Sequence, residues 1–321
     1  METTGVILLN LGGPDSLEAI RPFLYNLFSD RKIIRLGPPF LQKPIAWLIA
    51  SLRSKKTKEM YRHIGGRSPI LAITSGQAEA LEEALNGPGV RGKRLKVSVG
   101  MRYWHPSIEE AVRRMYDGGI RRALALSLYP HYSLATSGSS LSVFTETAKK
   151  YGMESSAISS WPEHPLYIDA LADVIRKGMA AFGHEGVEVL FSAHSLPLSI
   201  IEAGDPYVKH ITGTIDEVVK KTGIRWHLSY QSKSGPVAWL SPSTEEKIRE
   251  LAQKGVRDLL VVPISFVSDH IETLYEIDIL YKGLGERLGM KLVRAESLNT
   301  HPLFINALKD LVLKRLDELR W

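Results

Sequence analysis

The chain repeats itself at a fixed spacing, and that self-similarity restricts its architecture more than any single motif does. His105-Pro-Ser-Ile-Glu-Glu-Ala-Val-Arg-Arg returns 136 residues later as Ser241-Pro-Ser-Thr-Glu-Glu-Lys-Ile-Arg-Glu, and Gly119-Ile-Arg-Arg-Ala-Leu-Ala-Leu returns at the same offset as Gly255-Val-Arg-Asp-Leu-Leu-Val-Val. Tyr151-Gly-Met matches Leu288-Gly-Met, and His164-Pro-Leu-Tyr-Ile-Asp-Ala-Leu matches His301-Pro-Leu-Phe-Ile-Asn-Ala-Leu, both at 137. Matches that keep their order and offset indicate an internal duplication. At 321 residues the chain is also too long for one hydrophobic core, so two similar domains are expected.

Within each repeat, short apolar runs alternate with amphipathic segments. The runs are 5–9, 95–99, 123–128 and 156–159 in the first half, and 187–191, 225–229, 258–263 and 291–295 in the second. Near-continuous, β-branched runs of this length, separated by helices, read as parallel strands covered on both faces. Ser107 with Glu110, and Ser243 with Glu246, form capping boxes that start helices, and Gly118-Gly119 and Gly255 stop them. The expected fold is α/β: two doubly wound, Rossmann-like or flavodoxin-like domains, each with a four-stranded parallel sheet.

Leu9-Asn-Leu-Gly-Gly-Pro resembles Ser192-Ala-His-Ser-Leu-Pro at an offset of 183, so the first half carries about 47 additional residues before His105. That insertion, at about 31–75, holds most of the positive charge. From Arg31 to Arg67 there are ten basic residues (Arg31, Lys32, Arg35, Lys43, Arg53, Lys55, Lys56, Lys58, Arg62, Arg67) against Glu59. The segment therefore carries +9 of a net +6, leaving the remainder at −3. A basic patch this local, set beside Phe40, Ile45, Trp47, Leu48 and Ile49, argues against nucleic acid as partner. It suits acidic ligand groups or an anionic bilayer touched through 36–58. No apolar stretch approaches the roughly 20 residues a membrane span needs. The start, Met-Glu-Thr-Thr-Gly, has no basic leader or cleavage pattern, so a cytoplasmic protein is expected. Zero cysteines restrict metal ligands to nitrogen and oxygen and leave no iron–sulfur cluster to be expected.

In doubly wound folds, ligands sit outside the carboxyl ends of the strands. The loops there supply His131, His194, His270, Asp269, Glu272, Arg102 and several aromatics. A lone loop histidine such as His194 is usually structural, yet imidazole suits proton transfer near neutral pH and metal binding. Glu272 would start a helix after Ser268 as N-cap, with Glu276 one turn later. Acidic residues at a helix N-terminus are favourable by themselves, but like charges at i and i+4 repel, so this pair asks for a cation or a wet channel. One nitrogen and one carboxylate suit Fe(II), Co(II) or Zn(II) and are too few for a closed structural site. Leu11-Gly-Gly-Pro lacks the spacing of a dinucleotide fingerprint. The Ser/Thr/Gly-rich stretch 134–142 reads as a helix start rather than a phosphate cradle, and Ser195 lacks visible triad partners.

Six segments resemble, in order, the motifs of the ferrochelatase family, whose members insert ferrous iron into a porphyrin. They are Leu9-Asn-Leu-Gly-Gly-Pro-Asp, Met101-Arg-Tyr-Trp-His-Pro, Leu128-Tyr-Pro-His-Tyr-Ser, Phe191-Ser-Ala-His-Ser-Leu-Pro, Tyr230-Gln-Ser-Lys-Ser-Gly-Pro and Val267-Ser-Asp-His-Ile-Glu-Thr-Leu-Tyr-Glu-Ile-Asp. The resemblance implies that His194 and Glu272 face each other across the porphyrin plane and share metal handling and pyrrole proton removal, with the division of labour open. It places Glu276 and Asp269 on a proton or metal path, with Leu280 where a third glutamate often follows. Arg102, Tyr103, Tyr132 and Trp239 become pocket residues, and Leu11 stands where methionine is frequent. Porphyrin and Fe(II) are then substrates, with no cofactor. Protoporphyrin is favoured over coproporphyrin because the opening loop lacks a tyrosine. A cobalt chelatase acting on a corrinoid precursor and a non-catalytic tetrapyrrole-binding protein are the alternatives, and the oligomeric state stays open. The expected domains are 1–160, with the C-terminal helix 301–321 crossing back, and 161–300, which carries the metal-site residues.

Overall fold

Eight short strands form two separate parallel sheets in the computed structural model, which describes residues 3–88, 94–233, 235 and 237–321. In chain order the first repeat contains β1 (Thr3–Asn10), α1 (Ile20–Ser29), α2 (Gln42–Arg62), α3 (Ile70–Asn86), β2 (Arg94–Met101), α4 (Ile108–Asp117), β3 (Arg122–Ser127), α5 (Ser139–Lys150) and β4 (Glu154–Ile158). The second contains α6 (Pro165–Ala180), β5 (Glu188–His194), α7 (Leu198–Glu202), α8 (Tyr207–Thr222), β6 (Trp226–Gln231), α9 (Thr244–Gln253), β7 (Asp258–Pro263), a π-helix (Glu272–Tyr281), α10 (Lys282–Arg287), β8 (Lys291–Arg294) and α11 (Pro302–Leu319). The sheet orders are β2-β1-β3-β4 and β6-β5-β7-β8, the same winding twice.

The chain divides into two units: residues through Trp161 together with Phe304–Trp321, and Pro162–Leu303. Thus α6, which follows the first repeat, belongs to the second unit, and α11, which follows the second repeat, belongs almost wholly to the first. There the Trp321 indole donates to Glu154 at 2.9 Å and the Arg315 guanidinium donates to Ser156 at 3.0 Å.

In the first unit β1 is apolar without alternation because both its faces are covered: Val6, Ile7, Leu8 and Leu9 are fully buried. Ile7 and Leu9 pack with Ile108, Val112 and Met115 of α4 and Phe144 of α5. A Cβ on Gly5 would run into the Met115 thioether of α4, which fills the space that the glycine leaves. At the sheet edge, Asn86 and Glu82 of α3 occupy outward backbone groups of β2, Asn86 pairing with Leu95 and Glu82 accepting from Val97 N at 2.7 Å. This covers an edge that could otherwise pair with another chain. Between β1 and β2 the first repeat has α1, α2 and α3, where the second has α7 and α8 between β5 and β6.

In the second unit Leu190, Leu259, Val261 and Leu292 of the sheet pack with Ile248 and Leu251 of α9 and Ile277 of the π-helix. Both capping boxes form. Glu110 N donates to Ser107 Oγ at 3.1 Å while Ser107 N donates to Glu110, and Ser243 with Glu246 does the same. The stretch 134–142 is a helix start: a π turn (Leu134–Gly138) capped by Ser133 runs into α5. Ser195 is buried with its hydroxyl on the Leu240 carbonyl.

Candidate active site

The site grows from the carboxyl ends of β5, β6 and β7 in the second unit. His194 is the last residue of β5. Its N–H donates to Ser265 Oγ at 3.0 Å, and the buried Tyr207 hydroxyl donates to its carbonyl at 2.9 Å. With the backbone fixed on both sides, the imidazole places Nδ1 2.8 Å from Glu272 Oε2. The Phe266 ring stands edge-on between His194 and His270, with centroids 5.9 and 4.1 Å away.

Glu272 opens the π-helix, and here the local structure departs from the expected α-helix capped by Ser268. No side chain caps this helix, and Ser268 instead offers its carbonyl to His270 Nδ1 at 3.1 Å. Thr273 Oγ1 accepts from His270 N at 3.0 Å, closing the turn that leads in. Runs of π-helix are rare and concentrate at functional sites. Its wider winding brings Glu272 and Glu276 to one bridging group: Ser232 Oγ lies 2.7 Å from Oε2 of each. Gln231, at the end of β6, donates to the Glu272 carbonyl at 3.0 Å and to Glu276 at 3.3 Å, and accepts from Ser192.

Burial opposes charge on every member of this cluster, and the neighbours decide the outcome. Glu272 is held well below the usual carboxylate range: burial would raise it, but the His194 imidazole at 2.8 Å outweighs that. His194 is raised, as its burial is overcome by Glu272 and, further off, Glu276. Glu276 is pushed up by burial and by the Glu272 charge. His270 is lowered by burial, and its Nε2, 4.0 Å from Glu272, has no hydrogen-bond partner among the described residues. Because the folded pKa of His194 exceeds its unfolded value, its contribution to stability is complete below about pH 6.5 and fades as pH rises through the raised value. Glu272 behaves oppositely, losing its contribution as pH falls through its lowered value. In a Glu272→Gln variant the imidazole pKa is expected to fall, since burial then acts with less opposition. Proton NMR titration of the His194 ring checks this, and an unmoved midpoint would contradict the pairing.

Asp269 does not join the cluster. Its carboxylate accepts from Arg294 at 2.9 Å, Ser297 at 2.8 Å, Asn299 at 2.9 Å and Thr273 at 3.0 Å, while Arg294 grips Asp278 of the π-helix through two 2.9 Å bonds. It is an anchor for the segment that carries Glu272. Three of these donors converge on Oδ1 and one, Asn299, on Oδ2.

Trp239 is half-buried, on a backbone bridge to Pro197, with its indole nitrogen unpartnered among the described residues. Ser234 and Pro236, in the segment 230–236, lie outside those residues. In the first unit, Leu11, Arg102 and Tyr132 are half-buried at the carboxyl ends of β1, β2 and β3. Gly12, with φ at +87°, turns the chain after Leu11 where a Cβ would press on Met101 and Trp104. Arg102 forms an ion pair with Asp30 at 2.6 Å, and the Tyr103 hydroxyl donates to the same oxygen at 2.7 Å. Tyr103 is buried, with its hydroxyl on Asp30 and its ring under the Arg102 guanidinium, 4.7 Å from the ring centroid. The sequence reading left His270, Gln231 and Ser232 without a role. All three sit inside segments it singled out, His270 two residues before Glu272 and the others at the end of β6.

The profile of the Ferrochelatase family matches residues 3–316. The chain belongs to the ferrochelatase family. Its relatives include a ferrochelatase of Desulfotalea psychrophila, 54% identical over 97% of both chains, and one of Geotalea uraniireducens, 51% identical over 98% of both. Among solved structures, SirB from Bacillus subtilis with Fe3+ superposes with a TM-score of 0.57 at 12% identity, covering 98% of this chain and 95% of that one, a likeness of fold. The ferrochelatase match spans both sheets and contains the site residues described above, from Leu11 to Asn299.

Proposed function

We propose that this ferrochelatase-family chain inserts Fe(II) into protoporphyrin IX, releasing two protons and forming protoheme, with His194 and Glu272 as the reacting pair. The observation that carries this reading is the 2.8 Å contact between His194 Nδ1 and Glu272 Oε2 at the carboxyl ends of the strands, which sets the two on one side of a bound macrocycle rather than on opposite faces of it as the resemblance implies. Metal insertion must take two protons from pyrrole nitrogens and strip water from the ion. With its Nδ1–H turned to Glu272, a neutral imidazole has its second nitrogen free to take one pyrrole proton, release it to solvent and then take the second, and the carboxylate stabilises the imidazolium that forms each time. The same carboxylate attracts the incoming cation. Metal binding by this pair needs the imidazole neutral and the glutamate ionised, so proton removal and cation entry depend on one another. Behind Glu272, Glu276 extends the acidic row inward. In the first unit Leu11 and Tyr132 are proposed as porphyrin contacts, with Arg102 and Tyr103 as supporting residues; in the second, Trp239 is proposed as a porphyrin contact. Iron is a substrate here, and no resident cofactor is invoked.

The test is anaerobic absorbance of the purified protein with Fe(II) and either protoporphyrin or coproporphyrin. Growth of a protoheme spectrum faster than the uncatalysed reaction supports the reading. Faster turnover of coproporphyrin would reassign the substrate. Binding without turnover would point to a carrier.

A surface location on a membrane is proposed for the insertion. Phe40, Trp47, Leu48 and Leu52 are between half and three-quarters exposed, whereas Ile45 and Ile49, expected on the same face, are half-buried against the unit. Arg21 covers the Trp47 ring at 4.9 Å, and Lys43, Arg53, Lys55 and Lys56 flank the patch. Apolar side chains beside cations suit peripheral contact with an anionic bilayer. No helix among the described residues is long and apolar enough to cross one. Co-sedimentation with anionic vesicles is expected to drop severalfold when Lys55, Lys56 and Lys58 become glutamates. Unchanged sedimentation would remove the proposal.

A further inference from the structure

Ser232 is one of three non-glycine residues among those described that hold positive φ, at +65°. The left-handed region is unfavourable for any side chain with a Cβ and natural for glycine, so a serine kept there implies that its hydroxyl is worth more than a relaxed turn. The residue follows β6 directly. Its neighbour Gln231 is pinned by three bonds, to Ser192, to the Glu272 carbonyl and to Glu276, and accepts from Ser195 N at 2.8 Å through its own carbonyl. From this fixed base the turn presents Ser232 Oγ to two carboxyl groups at once, 2.7 Å from each. Those groups come from different turns of the π-helix. Like-charged side chains at this spacing would swing apart into available space unless held.

The geometry points to Ser232 as a positioning residue for metal insertion, one whose strained backbone holds a hydroxyl between Glu272 and Glu276 and fixes both carboxyl groups relative to His194. This inference rests on the iron-insertion reading above. The hydroxyl carries one proton and serves one carboxyl oxygen as donor at a time, so it links the pair without neutralising it. A partner that orients a reacting group from behind is commonly worth 10- to 100-fold in rate when lost.

Three variants separate positioning from folding. Ser232→Ala removes the hydroxyl and leaves the strain; Ser232→Gly removes both; Ser232→Thr keeps the hydroxyl and adds β-branching, which fits the left-handed region poorly. In anaerobic steady-state assays kcat is expected to fall about tenfold or more in Ala and Gly, with KM for porphyrin within about twofold. Thr should stay within about threefold of wild type in kcat. The melting temperatures should rank differently, Gly above Ala and Thr below wild type. Wild-type kcat in the Ala and Gly variants, or kcat that simply tracks melting temperature across the three, would overturn the assignment. Wild-type turnover in the same assay tells the two claims apart. If it is absent the iron-insertion reading fails and takes this inference with it; if it is present alongside fully active Ala and Gly variants, only the role of Ser232 fails.

Discussion

Replacing His194 by alanine is expected to lower the rate of ferrous iron insertion by about 10² to 10⁴-fold while porphyrin binding changes little. Two losses combine. The imidazole that would accept the pyrrole proton is gone, and Glu272, 15% exposed, loses the cation-forming partner at 2.8 Å that holds its pKa down. Without that partner, burial dominates and the carboxylate is driven toward its protonated, cation-indifferent form. The expected signature is a drop in kcat at nearly constant KM, since the interaction is realised at the reacting atoms rather than along the body of the macrocycle. Anaerobic single-turnover absorbance gives the rate, and quenching of porphyrin fluorescence gives the binding. A rate within about twofold of wild type would show that proton removal proceeds elsewhere.

Arg294→Met is expected to cost about 3 kcal/mol, the low end of the range for breaking a buried ion cluster by removing one partner. The guanidinium side chain is 12% exposed and holds two carboxylates, Asp269 and Asp278, through three bonds of 2.9 Å. Asp278, at 37% exposure, finds water when the arginine leaves, which moderates the loss. Asp269 does not, and stays surrounded by Thr273, Ser297 and Asn299 with its charge uncompensated. For a unit of this size the melting temperature should fall by about 6 to 12 °C. Adding Asp269→Asn to the methionine variant should recover part of the loss, because the isolated charge, more than the missing bonds, carries the penalty. A melting temperature within about 1 °C of wild type would mean that the cluster contributes nothing net. Activity should drop as well, since Arg294 ties the π-helix to the loop before Glu272.

The strands were legible because a parallel strand buried on both faces writes itself as an uninterrupted apolar run. All eight runs became strands, with ends shifted by a few residues, as at β1, which extends to Thr3 and Asn10. The duplication was legible for the same reason: equal folds need equal caps and stops at equal spacing, as Ser107 and Ser243 show. The π-helix was not legible. Apolar residues through 273–280 satisfy a helical pattern, but nothing in their order distinguishes i→i+5 from i→i+4 bonding, and Ser268 ahead of an acidic residue imitates a cap. The surroundings of Asp269 were not legible either, because the arginine that grips it, Arg294, arrives from 25 residues later. The partner of the Tyr103 hydroxyl was equally out of view, since Asp30 lies 73 residues earlier. Patterns local in sequence were readable; pairings made by tertiary contact were not.

His194 and Glu272 are held to act as one unit, and a double-mutant cycle on iron insertion measures that directly. The rates of wild type, His194→Ala, Glu272→Gln and the double variant are compared under anaerobic conditions. If the two share one proton-and-cation function, the double variant should be about as slow as the slower single variant, far from the product of the two losses. Losses that multiply, leaving each residue's effect unchanged by the absence of the other, would contradict it.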